Sequence, residues 1–110
     1  MPQERAKEIK EIISSFKEAL EKNGVKAEKI ILFGSHAKGA AGENSDIDLV
    51  VISRDFAGMS FKRRCEVLGR AITEVMEPIE PLAYTPEEFK NLPGFNAFSM
   101  AKNANSYVVV

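Results

Sequence analysis

Ser45-Asp46-Ile47-Asp48-Leu49-Val50-Val51-Ile52 is the stretch that decides the fold. From Ile47 to Ile52 it is dense in Val, Ile and Leu and reads as a strand. Side chains on a strand alternate faces, so Asp46 and Asp48 share one face, with Cα atoms roughly 6–7 Å apart. Ile47, Leu49 and Val51 take the other face and are available to a core. Two carboxylates side by side on one face repel each other unless a cation lies between them. Hard oxygen ligands of this kind suit Mg²⁺, which takes one or two carboxylates and fills its remaining positions with phosphate oxygens and water. Taken alone, the pair reads equally well as two solvated aspartates at a strand entrance.

Upstream lies a second apolar run, Ile30-Ile31-Leu32-Phe33, which reads as a buried strand ended by Gly34. The segment from Gly34 to Ser45 holds three glycines and three alanines. It supplies little for a core and reads as a functional loop containing at most a helical turn. Gly34 lets a phosphate approach the backbone, and the Ser35 hydroxyl adds a donor. A helical turn starting at Ser35 would favour an anion as well. In isolation Gly34 is only a turn. A Walker loop is excluded, because Ala40 and Ala41 follow Gly39 where Lys and Ser or Thr are needed. The Rossmann glycine pattern is absent too.

The flanking segments are helical. Ala6, Ile9, Ile12, Ile13, Phe16, Ala19 and Leu20 recur at helical spacing, and Asn23-Gly24 stops that helix. A second helix is predicted from about Ser60 to Met76, with Phe61, Cys65, Leu68, Ile72 and Val75 facing inward and Pro78 beyond its end. Ile79 to Tyr84 reads as a third strand that Pro81 confines to an edge or a bulge. Thr85-Pro86-Glu87-Glu88 combines a cap, a proline suited to the first turn and a capping-box glutamate, so a helix begins there and Leu92-Pro93-Gly94 breaks it. A short helix from about Asn96 to Asn103 and a strand from Tyr107 to Val110 complete the order. Residues 1–110 are expected to form one α/β domain, a sandwich of helices on a small sheet.

The balance of 15 basic against 16 acidic residues gives a net charge of -1, so nothing global draws the chain to nucleic acid or to an anionic membrane. No apolar run reaches the roughly 18 residues of a membrane span. The charged start, Met1 to Lys10, lacks the apolar block of a signal peptide. A single cysteine, Cys65, permits no internal disulfide. A cytoplasmic protein is the expectation.

Jointly, Gly34-Ser35-His36-Ala37-Lys38-Gly39 and Ser45-Asp46-Ile47-Asp48-Leu49 resemble the motif of the polymerase-beta-like nucleotidyltransferase superfamily, in particular its minimal nucleotidyltransferase branch. Lys38 stands where that branch more often has Arg, which keeps the charge and loses the planar fork. The resemblance implies a small mixed β-sheet with helices packed on one face and an active-site cleft on the other. It implies a third carboxylate on the next strand, and Glu80 matches that position where Asp is more usual. Asp46, Asp48 and Glu80 would then be the catalytic and metal-holding residues, with two Mg²⁺ ions. Gly34, Ser35 and Lys38 would hold the triphosphate. The implied reaction moves a nucleoside monophosphate from a nucleoside triphosphate, ATP in this branch, to an acceptor hydroxyl. The chain is expected to be too short for the helical domain by which larger relatives grip an acceptor. Relatives are often encoded beside a HEPN-domain protein, as antitoxin and RNase toxin, and a HEPN-type partner is therefore implied.

Two other readings remain at this stage: an inactive module that binds nucleotide or a partner, and transfer to a small molecule such as an aminoglycoside. His36 reads as an exposed loop residue. Lys62-Arg63-Arg64 reads as a solvated helix face, and Cys65 as core. Phe89, Phe95 and Phe98 are expected either to cover an open sheet face or to form a partner surface.

Overall fold

The computed structural model describes residues 2–33, 46–91 and 107–108. The loop expected over residues 34–45 and the short helix expected over 96–103 lie outside them. The elements run α1 (Pro2–Lys22), β1 (Lys29–Phe33), β2 (Ile47–Ile52), α2 (Phe61–Val75), β3 (Ile79–Tyr84), α3 (Pro86–Lys90) and β4 (Tyr107–Val108). The strands form one mixed sheet in the order β3-β2-β1-β4. β1 runs antiparallel to β2 and β4, while β2 and β3 are parallel. A parallel pair needs a long crossover, and α2 supplies it.

The apolar spacing read in α1 is the face it buries: Ile9, Ile12, Ile13, Phe16, Ala19 and Leu20 are all buried. They meet Ile30 and Leu32 of β1, Ile47, Leu49 and Val51 of β2, and Val67, Leu68 and Ala71 of α2 in one core. Each Ile, Leu or Phe buried there contributes about 1.5–3 kcal/mol. Gly24 ends α1 with a left-handed φ of 90°. That turn lets the Gly24 and Val25 amides donate to the carbonyls of Glu21 and Leu20.

Beyond β2 the chain is pinned by Ser53, which is fully buried. Its hydroxyl donates to the Lys26 carbonyl at 2.7 Å and accepts from the Asp55 amide at 3.1 Å. Both demands of the buried hydroxyl are met, and the C-terminal end of β2 is tied to the loop before β1.

α2 differs from expectation in which face it buries. Cys65 was expected in the core and is exposed, as is Phe61 at 83%. The inward positions are Arg64, Val67, Leu68 and Ala71, with Ile72 and Val75 partly buried. The physical reason is Arg64, which the sequence places in a solvated basic run. Its guanidinium stands 5.7 Å from the centre of the buried Phe56 ring and donates to the carbonyls of Met59 and Ala83. It also grips Glu88 with two bonds. A long side chain with its stem on the core and its head paired claims an inward position that an apolar count overlooks.

β3 is an edge strand, as Pro81 demanded, and its register with β2 runs unbroken from Ile79 opposite Ile47 to Tyr84 opposite Ile52. The missing amide of Pro81 is tolerated because one side of an edge strand carries no ladder. Thr85 begins α3 with the full capping box: its hydroxyl accepts from the Glu88 amide, and Glu88 accepts from the Thr85 amide.

Candidate active site

Strand alternation sorts the sheet into two unlike faces. The helices cover the face of Leu32, Leu49 and Val51. The other face carries Asp46, Asp48, Val50 and Ile52 from β2, Ile31 and Phe33 from β1, and Glu80, Leu82 and Tyr84 from β3. Register brings the chemistry together. Asp48 stands opposite Glu80 on one side and Phe33 on the other. Three carboxylates from two parallel strands therefore meet at the end of the sheet where β1 finishes.

Their charges are felt. The Glu80 carboxyl is held above the ordinary carboxylate range, first by the negative charge of Asp46, then by desolvation and by Asp48, with hydrogen bonds from its protonated form to both aspartates adding to the effect. Glu80 is itself exposed, so the like-charged neighbours rather than burial dominate. The arrangement holds excess negative charge on a solvent-facing surface.

Beside the trio lies an apolar shelf. Ile31, Val50 and Ile52 are buried on this face, with Phe33, Tyr84 and Phe89 packed against them. The Tyr84 and Phe89 rings are 6.1 Å apart and tilted by 54°. Phe89 thus covers part of the open sheet face, one of its two expected roles. Phe95 and Phe98 lie outside the described residues. Leu82, 40% exposed, continues the shelf two residues from Glu80. The sequence signal for this shelf was the alternation that paired the aspartates, carried along each strand. A separate groove, lined by Glu11, Ile12, Ser15, Glu18 and Glu74 among others, runs along α1 and the end of α2, on the helical side of the sheet and away from the carboxylates.

Gly34, Ser35, His36 and Lys38 lie outside the described residues. No helix among the described residues is long and apolar enough to cross a membrane.

Known proteins share this architecture. A crystal structure of a toxin–antitoxin with AMP-PNP aligns over 88% of this chain and 71% of that one, with a TM-score of 0.60 at 18% identity. A candidate nucleotidyltransferase from Sulfolobus solfataricus aligns over 76% of this chain and 69% of that one, with a TM-score of 0.56 at 23% identity. Likeness at these identities establishes the fold. In sequence, a candidate protein adenylyltransferase of Methanocaldococcus jannaschii is 48% identical over 44 residues, 40% of this chain and 50% of the relative. The chain thus matches about half the length of that relative. The model of the nucleotidyltransferase domain matches residues 9–103, and the chain belongs to that family.

Proposed function

We propose that this protein transfers a nucleoside monophosphate, AMP from ATP, to a hydroxyl group on a partner protein. The observation that carries the reading is the convergence of Asp46, Asp48 and Glu80 on the open face of the sheet, with Asp48 opposite both Glu80 and Phe33. Gly34 and Ser35 follow directly on Phe33. With about 3.8 Å between successive Cα atoms, chain connectivity keeps both within reach of a triphosphate held at the carboxylates. Their amides and the Ser35 hydroxyl suit phosphate oxygens, and Lys38 adds a positive charge.

The donor set fits Mg²⁺. Among the described residues no three acidic, His or Cys side chains form a ready-made cage. Mg²⁺ does not require one, because it is held by one or two carboxylates and completed by substrate phosphates and water. Asp46 and Asp48 would hold both ions, and Glu80 would complete one of the sites. Bound there, the metal supplies charge neutralisation for the phosphates and the attacking oxygen.

In the reaction the acceptor oxygen forms a bond to the α-phosphorus, and the bond from that phosphorus to the bridging oxygen breaks. Pyrophosphate leaves. The hydroxyl proton passes to a Glu80 carboxylate oxygen and on to water. The apolar shelf at Val50, Leu82 and Tyr84 offers the nucleotide or acceptor a surface beside the carboxylates.

A protein acceptor is supported by the name of the Methanocaldococcus jannaschii relative, a candidate protein adenylyltransferase. The toxin–antitoxin neighbour points to an acceptor that is a toxin, and a HEPN-type RNase is our candidate. The test is to incubate the chain with labelled ATP, Mg²⁺ and the protein encoded beside it, and to read intact mass. One or more additions of AMP to the partner are expected. A chain that adds no nucleotide to the partner yet still inhibits it would replace the enzyme reading with a binding module.

A further inference from the structure

The outward face of α2 has features that the rest of the molecule does not use. Two adjacent rows run along it at one-turn spacing: Phe61, Cys65, Gly69 and Thr73, and beside them Lys62, Glu66, Arg70 and Glu74. All eight residues are exposed. The first row is small in its middle. Gly69 sits in mid-helix without a positive φ, and a Cβ there would meet nothing within 4 Å. Glycine is a poor helix former, and nothing among the described residues requires it at this position. A shallow depression lined by Glu66, Gly69, Arg70 and Thr73 marks the place. The two most exposed large apolar residues described, Phe61 at 83% and Met76 at 84%, stand at opposite ends of this helix.

The second row alternates in sign: plus at Lys62, minus at Glu66, plus at Arg70, minus at Glu74. Reversed, the order becomes minus, plus, minus, plus. An antiparallel copy of the same helix therefore meets every charge with its opposite. Lys62 falls against Glu74 of the second copy, and Glu66 against Arg70. The same register sets the two-fold at position 68, so Gly69 of each copy lies one residue from the axis, where the absence of a side chain permits close approach, and Phe61 falls opposite Val75, beside Met76, of the second copy. An isologous contact needs a surface complementary to itself. A parallel copy would set like charges against like.

We propose that the outward face of α2 is a self-association surface, on which two copies of this chain pair antiparallel with Gly69 of each one residue from the two-fold. The present partners of the row do not oppose this, since Glu66 with Arg63 and Glu74 with Lys22 are exposed ion pairs of little strength. α2 lies in the helical layer, so pairing leaves the carboxylate face of each copy open. The surface is independent of the proposed reaction.

A single helix pair belongs to the small, transient class of interfaces, so association is expected to appear as concentration rises from about 5 to about 500 µM. Sedimentation velocity on the full chain reads it. Wild type should move from monomer to dimer over that range. Gly69→Leu, which removes a weak helix former and clashes with nothing in the chain, should remain folded by circular dichroism and remain monomeric. Glu66→Arg should also be monomeric, and Glu66→Arg combined with Arg70→Glu should dimerise again.

Crosslinking reads the orientation. Across the two-fold, Cys65 falls between Gly69 and Thr73 of the second copy, about 3 Å along the helix from each, so Thr73→Cys in the native Cys65 background should give a disulfide-linked dimer under air and a copper catalyst. Cys65 alone should not. A wild type that stays monomeric to about 500 µM, a dimer that survives Gly69→Leu, or ready Cys65–Cys65 linkage would each overturn the proposal.

Discussion

Arg64 and Glu88 meet through a two-pronged ion pair, with Nη1 donating to Oε1 at 2.6 Å and Nη2 to Oε2 at 2.9 Å. The pair joins the first turn of α2 to the first turn of α3. Glu88 Oε1 also accepts from the Thr85 amide, so one carboxylate serves both the ion pair and the helix cap. Arg64 reaches the Ala83 carbonyl as well, which ties α2 to the end of the strand that carries Glu80.

These contacts set a pH dependence. The Arg64 guanidinium, followed by the Thr85 amide, pulls the Glu88 carboxyl down to about 2. A carboxylate whose folded value is depressed stabilises the fold above its unfolded value, and that stability drains away as pH falls toward the folded one. The contribution should be complete above about pH 4.5 and lost between there and about pH 2. Glu88 is 44% exposed, so solvent screening limits the pair to on the order of 1 kcal/mol. Urea unfolding of wild type, Arg64→Met, Glu88→Gln and the double variant at pH 7 should give that coupling, and the same cycle at pH 2.5 should give much less. Equal coupling at the two pH values would show that ionisation of Glu88 does not hold the contact.

The strands were legible because each is a short apolar run closed by a residue that cannot continue it. Ile47–Ile52 and Ile79–Tyr84 fall where the sequence places them, and α1 buries the stripe its spacing marks. The face of α2 was less legible. Counting apolar residues put Phe61 and Cys65 inside, whereas packing chose Val67 and Ala71 and used Arg64 as an amphipathic wedge. Hydrophobicity in a single helix does not reveal that a cation several residues on will find a carboxylate on another helix. For the site, alternation alone placed Asp46 and Asp48 on one face. That Glu80 joins them depends on a parallel register between strands about 30 residues apart, which no local pattern encodes and which the family resemblance supplied.

The aspartates should couple metal and nucleotide in binding as well as in transfer. ATP together with Mg²⁺ should raise the melting temperature by more than the sum of the two alone. At a ligand concentration about 100 times Kd the gain is about 2.7 kcal/mol, on the order of 10 °C for a chain of this size. Asp46→Asn and Asp48→Asn should each remove most of the excess while leaving the unliganded melting temperature equal or higher, because each relieves repulsion within the trio. Differential scanning fluorimetry measures both effects. Full ATP–Mg²⁺ coupling in both variants would place the metal elsewhere.

Glu80 separates transfer from binding. It stands opposite Asp48 on the neighbouring strand, and its proton affinity is raised by the two aspartates. Glu80→Gln keeps the shape and hydrogen-bonding capacity of the side chain and removes its charge. Asp46, Asp48, Gly34 and Ser35 remain, so ATP affinity should fall little, within about tenfold, whereas transfer to the partner should fall by roughly 100-fold or more, the scale of losing a positioned proton acceptor. Isothermal titration with a non-hydrolysable ATP analogue gives the first quantity, and single-turnover mass analysis of the partner gives the second. The pH profile adds an independent check. Transfer by wild type should decline as falling pH protonates the Glu80 carboxylate, and the residual transfer by Glu80→Gln should lack that limb. Asp at position 80 tests reach: a carboxylate one methylene shorter, on an edge strand in unbroken register with β2, should recover a measurable part of the lost rate. Equal losses of binding and transfer in Glu80→Gln, with no recovery in Glu80→Asp, would mean that Glu80 shapes the nucleotide site and takes no proton from the acceptor.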